Sequence, residues 1–135
     1  MPSTLFYRLG AEKVLGKQID FVADTLKAIL LKNTYVKNLT TDEFLSDISA
    51  YRMDTDVTLS GKSKTLGVFD CDDIAWTSVA AGDTASCVVI YKDTGAEATS
   101  PLLLWTDNIT GFPLAANGGN ITVEIDAGAY KFFSL

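Results

Sequence analysis

The stretch CVVIYKDTGAEATSPLLLWTD, residues 87–107, sets two apolar runs around a polar interval. Cys87–Tyr91 is dense in β-branched and aromatic residues, which suit a pleated, buried surface. Thr94–Ser100 carries Gly95 among small polar residues, the composition of a turn. Pro101 stands at the first position of the second run, where a missing N–H is tolerated. The stretch therefore reads as a β-hairpin, with Asp93 bonding the turn through its side chain and Gly95 at positive φ.

Working outward, the same grammar repeats. Residues 24–33, DTLKAILLKN, begin with alternation and end continuously apolar, which predicts a strand whose second half is buried on both sides. TTDEFLSDI predicts a helical turn or two started by Thr41 or Asp42. YRMDTDVTL alternates like a strand, with Tyr51, Met53, Thr55 and Val57 on one face. Ser60–Ser63 is a turn signal, KTLGVFDCDD a strand, and DDIAWTSV a short strand or edge segment. GFPLAANGGN reads as a glycine-rich loop, ITVEIDA as an alternating strand and AYKFFSL as a last short one. At the start, residues 3–18 read as a helix, with Ser3 placed to cap it and Leu5, Leu9, Val14 and Leu15 along one face. Gly10 weakens that helix, and Gly16 suits its end. Seven or eight short strands at regular spacing predict a mainly β fold, an antiparallel sandwich or small barrel with one N-terminal helix, in a single domain over residues 1–135.

Composition narrows the function. Lysine and arginine number 11 against 17 aspartates and glutamates, a formal net charge of −6. That balance opposes nucleic acid and anionic membrane surfaces as partners. No apolar run approaches the ~18 residues of a membrane span, and the charged residues Arg8, Glu12 and Lys13 break the opening segment, so it reads as part of the fold rather than a signal peptide. The sequence contains no histidine. Ser-His-Asp and Cys-His catalysis and histidine-based zinc sites are thereby excluded. Cys71 and Cys87 form no Cys-x-x-Cys. A disulfide between them requires that they face each other; two buried thiols is the preferred reading.

Each candidate site has a plainer explanation. Asp93-Thr94-Gly95-Ala96 matches the tetrapeptide around the catalytic aspartate of aspartic proteases, where paired carboxylates share one proton. Lys92 precedes it, however, and the apolar pair plus glycine that should thread behind such a site is interrupted: Thr110 separates Ile109 from Gly111. Asp70, Asp72 and Asp73 are spaced like oxygen ligands, but without the glycine and late glutamate of a calcium loop. Gly61-Lys62-Ser63 ends like a phosphate-binding loop, yet Asp56 stands where the upstream glycine belongs. Trp76 and Trp105, with Tyr91, are candidates for a sugar-stacking platform or for the core. Three Asn-x-Thr triplets begin at Asn38, Asn108 and Asn120 and mean little without an export signal. The expectation is no catalytic residue, no metal and no cofactor.

Four segments in order carry a resemblance: IDFVADTLKAILLKNTYVKN (19–38), DEFLSDISAYRM (42–53), DDIAWTSV (72–79) and VVIYKDTGAEATSPLLLWTDN (88–108). Together they resemble a family of small virion structural proteins of tailed bacteriophages, most recognisably in the Tyr91–Gly95 turn followed by Ser100-Pro101-Leu102. The resemblance implies a capsid decoration or cement protein, located on the virion after assembly in the bacterial cytoplasm. It implies the major capsid protein as partner, a homotrimer or homodimer on the shell, and no enzymatic activity. A tail, neck or fibre component, with carbohydrate binding as a variant, is the alternative. Termini and long loops are where binding elements concentrate. The expected contacts are therefore the segment Met1–Arg8, through Met1, Pro2, Ser3, Thr4, Leu5 and Phe6, and the loop Asp107–Asn120, through Asn108, Phe112, Pro113, Leu114 and Asn117.

Overall fold

The computed structural model describes residues 4–124 and 133–134. The fold is mainly β and antiparallel, as expected. Its centre is a sheet of β1 (Thr4–Phe6), β8 (Leu102–Thr106), β7 (Thr84–Lys92), β2 (Leu26–Lys32) and β3 (Val57–Thr58), in that order. β9 (Leu114–Ala115) continues the line of β8 along the start of β7. Two smaller sheets accompany it. One pairs β10 (Ile121–Val123) with β6 (Ile74–Trp76); the other orders β11 (Phe133–Ser134), β5 (Val68–Asp70) and β4 (Ser63–Thr65).

The central sheet is covered on both faces, which explains its long apolar runs. Leu26, Ala28, Leu30, Val88, Ile90 and Leu104 pack on one side with Phe69, Ile74, Trp76, Val79, Ile121 and Val123 of the smaller sheets and their connections. Ile29, Leu31, Cys87, Val89, Tyr91 and Trp105 pack on the other with Tyr7, Tyr35, Leu45 and Ile48. Strict alternation along β7 and β8 is broken by two register shifts. One lies where Leu31 pairs Cys87 but Lys32 pairs Ala85. The other lies where Ile90 pairs Leu104 but Tyr91 pairs Leu102. Each inserts a residue, Ser86 and Leu103, and each insertion exchanges the faces of the neighbouring strand residues. That is why Leu102, Leu103, Leu104 and Trp105 are all buried in succession.

Several sequence expectations are corrected. Residues 4–6 are a strand, not the start of a helix: Leu5 pairs Trp105 and Phe6 pairs Leu104 across the sheet edge. The helix α1 spans only Arg8–Leu15 and begins after Tyr7, whose backbone is extended and whose N–H donates to the carbonyl of Leu103 (2.9 Å). Leu15 is solvent-exposed rather than on a core face. Ser3, the expected cap, lies outside the described residues. The short helical segment around Phe44 is two 3₁₀ turns, Leu45–Asp47 and Ser49–Tyr51, and starts later than Thr41 or Asp42.

The expected strand from Tyr51 is interrupted. Arg52 bridges Leu31, and Val57 pairs Ala28. Between them Asp54–Asp56 swing out to satisfy local bonds, among them Thr55 N–H to Asp54 Oδ1 at 2.7 Å. Lys64–Asp73 is a hairpin rather than one strand, turned at Leu66-Gly67 with both residues at positive φ. The loop Gly111–Asn120 contains β9. Of ITVEIDA and AYKFFSL, residues 121–124 and 133–134 are described, and both short strands form there; the rest lies outside the described residues.

Candidate interaction surface

The topology brings the two expected contact segments to one rim. β1 is the edge strand of the central sheet, and its first residue, Thr4, pairs Thr106, the last residue of β8. The chain leaves β8 there and enters the loop from Asp107. Thr4 Oγ1 and Thr106 Oγ1 lie 2.8 Å apart, and Asn108 N–H donates to the same Thr106 oxygen (3.1 Å). Position 108 is thus fixed beside the start of β1.

The individual residues divide. Leu5 and Leu114 are among the few large apolar side chains that are exposed, each at 37%. Asn108, Pro113 and Asn117 are exposed, and Asn117 Oδ1 accepts the Gly119 N–H (3.0 Å). Phe6 and Phe112 face inward instead, packed against the core cluster, with Phe6 edge-on to Phe21 at 6.4 Å. They support the rim rather than present it. Met1, Pro2 and Ser3 lie outside the described residues.

Asp93 sits in the hairpin turn. Its Oδ1 accepts the Gly95 N–H (2.9 Å), Gly95 has φ +91°, and its Oδ2 meets Lys27 Nζ at 3.1 Å. The Gly95 bond and then Lys27 hold its carboxyl below the ordinary 3.8. A group depressed in the folded state stabilises above its unfolded value, and the effect disappears as pH falls through the folded one. Asp93→Asn keeps the turn bond and loses the ion pair. It should cost about 0.5 kcal/mol or less at pH 7, and nothing in acid below both values. Urea denaturation at the two pH values checks this.

The other candidates are similarly engaged. Asp72 Oδ2 accepts the Ser60 hydroxyl (3.1 Å), and a side chain at Gly61 would collide with this carboxylate, whose nearest oxygen lies 2.4 Å from an ideal Cβ; the Gly-Lys-Ser stretch is a turn built around it. Lys62 donates to the Asp24 carbonyl. Among the described residues no three acidic or sulfur side chains gather as a metal site. Trp76 is buried and donates to the Thr55 carbonyl (2.9 Å); Trp105 is buried under Lys37, whose Nζ lies 4.3 Å from the ring centroid. Tyr91 is buried too, so the three rings form no sugar-stacking platform. Cys71 and Cys87 are unpaired and belong to the two opposite clusters, with the sheet between them. Burial, then the nearby Asp70, pushes the Cys71 thiol up to about 12, and burial raises Cys87 as well. Both are poor nucleophiles.

Sequence reasoning missed two polar networks. Arg52 grips Asp56 with two parallel bonds, Nε–Oδ1 at 2.8 Å and Nη2–Oδ2 at 2.9 Å, and reaches Glu97 at 3.1 Å; the Tyr91 hydroxyl donates to the same Asp56 carboxylate. Tyr7, Tyr35 and Asp42 form a chain of 2.7 Å bonds, with both tyrosines in the same core cluster as Tyr91. Burial raises the pKa of all three tyrosine hydroxyls; the bond to Tyr35 adds to this at Tyr7 and the bond to Asp56 at Tyr91, whereas at Tyr35 the bond with Tyr7 opposes it and the bond to Asp42 adds to it. The only signal in the sequence is the Arg-x-x-x-Asp spacing at 52–56, which is common. Among the described residues no helix is long and apolar enough to cross a membrane. Compared with known proteins, the sequence matches no protein-family model and no curated protein.

Proposed function

We propose that this chain is a capsid decoration protein of a tailed bacteriophage, binding the outer shell where major capsid protein subunits meet and stabilising the head without catalysis. The observation that carries the reading is the rim. An edge strand, β1, closes one side of the central sheet, beside a loop that presents Asn108, Pro113, Leu114 and Asn117. Edge strands add to a partner's sheet through main-chain bonds, and alternate side chains select the partner. The four segments that resemble phage virion proteins lend the same support. A decoration protein touching several subunits gains by multivalency, so each contact can be modest. A homotrimer or homodimer would match the symmetry of its sites.

The test is head stability. Phage heads assembled without this chain should release DNA at a lower temperature than complete heads, and added purified chain should restore them. A variant with Leu5→Asp and Leu114→Asp should fold but fail to restore. Equal stability with and without the chain would refute the proposal.

A further inference from the structure

Away from the rim, a groove of about 540 Å³ opens between the end of α1 with the residues after it and the β4–β5 hairpin. Val14, Ile19, Phe21, Val68 and Phe69 line it. Its edges are unusual in three ways. Leu66, at the hairpin tip, is 96% exposed and holds φ +53°. Such a turn position is normally filled by Asn, Asp or Gly, so a leucine is disfavoured there by both conformation and solvation. Lys17, on the opposite edge, also holds positive φ, +64°. There the helix end supplies the reason: the Lys17 and Gln18 N–H groups donate to the Val14 and Lys13 carbonyls in the left-handed close of α1, a place more often held by glycine.

The third feature is charge. Lys17 and Lys64 flank the groove, and among the described residues neither makes an ion pair. Asp20 also lines it as a carboxylate, its Oδ1 accepting the Ala23 and Val22 N–H groups (3.0 Å each) and its charge felt by Lys64, so the two lysines leave the lining with one net positive charge. In a chain of net charge −6 this apolar, cation-flanked slot is locally opposite in sign to the molecule. β4 closes its small sheet, so its outer backbone edge is open to an added strand among the described residues.

We propose that this groove docks an extended acidic segment of a partner protein. An apolar side chain enters between α1 and the hairpin, Leu66 closes over it, and flanking carboxylates meet Lys17 and Lys64. A second copy of this chain fits poorly. Two-fold contact of the patch with itself opposes lysine to lysine, and antiparallel pairing of β4 with β4 centres Lys64 on Lys64. The inference does not depend on the decoration reading; under that reading the segment belongs to the shell protein.

The experiment has two arms. In the first, the ¹⁵N-labelled full chain is titrated with a blocked hexapeptide carrying a Leu-Phe pair between two acidic pairs, and with its counterpart carrying lysine pairs. The acidic peptide should shift groove amides saturably and weaken with salt; the lysine peptide should not bind. The Lys17→Glu, Lys64→Glu double variant should bind about tenfold more weakly. Leu66→Asn, which suits the turn and should raise thermal stability, should also lose about tenfold. Equal binding of both peptides, no binding of the acidic one, or a concentration-dependent dimer abolished by Leu66→Asn overturns the inference. The second arm is cosedimentation with undecorated phage heads. Failure of the wild type there, with the peptide results intact, refutes the decoration reading and leaves the groove assignment standing.

Discussion

Gly10→Ala should destabilise the protein by about 3 kcal/mol and lower its melting temperature by roughly 10 °C. Helix propensity alone predicts the opposite sign, a gain of about 1 kcal/mol, since alanine is the better helix former. Packing decides the outcome. Gly10 is the buried residue of α1, and a Cβ built there would lie 2.0 Å from the Leu102 carbonyl oxygen and 3.2 Å from the Leu103 Cα. Both neighbours are backbone, at the bulge that sets the faces of β8, so neither can turn aside as a side chain would. Relief requires α1 to lift from the sheet, which also strains the Tyr7 N–H bond to Leu103. Gly16→Ala is the control. Its backbone is at ordinary negative φ and its Cβ would meet nothing closer than 3.4 Å, so it should be neutral or slightly stabilising. Thermal denaturation of the two variants side by side checks the sign. A Gly10→Ala protein as stable as wild type would mean that the helix does not seat this closely.

Arg52→Ala should cost about 2–3 kcal/mol. The Asp56 side chain is 10% exposed, and the Arg52 guanidinium is its counter-charge through two bonds. Removing the arginine leaves a carboxylate largely withdrawn from water, with the Tyr91 hydroxyl as its remaining side-chain partner. The cost stays below that of a fully buried pair because the arginine is partly open to solvent, at 28%. Arg52→Lys should recover part of the loss, since an ammonium supplies charge without the planar fork. Removing both partners in Arg52→Ala, Asp56→Ala should cost less than the sum of the single changes, because no charge is then stranded. Urea unfolding of the wild type, Arg52→Ala, Asp56→Ala and the double variant measures the coupling. Additive effects would show that the pair is not a stabilising unit.

The sequence discloses the fold where burial is continuous. The β2, β7 and β8 runs are apolar because both faces of the sheet are covered, and they are legible for that reason. The bulges at Ser86 and Leu103 are not, because an inserted residue inside an all-apolar run leaves the composition unchanged. β1 passes for helix because Thr4–Phe6 is too short for a period to show, and its pairing with β8 bridges about a hundred residues of chain. The expected contact positions follow from the general habit of termini and loops; sequence cannot supply their meeting at Thr4 and Thr106. Nor does it reveal the groove, whose walls come from α1, the segment after it and a hairpin that reads as one strand. Leu66 does carry a signal of its own, an apolar residue before glycine in a turn, visible once the hairpin is recognised.

The claim on which the functional account rests is that this polypeptide works by contact with a phage shell. Quantitative mass spectrometry of purified virions measures it most directly. The account predicts copies in a fixed ratio to the major capsid protein, commensurate with the symmetry sites of the head. A handful of copies per particle would assign the chain to the tail or neck, and none at all would contradict the account.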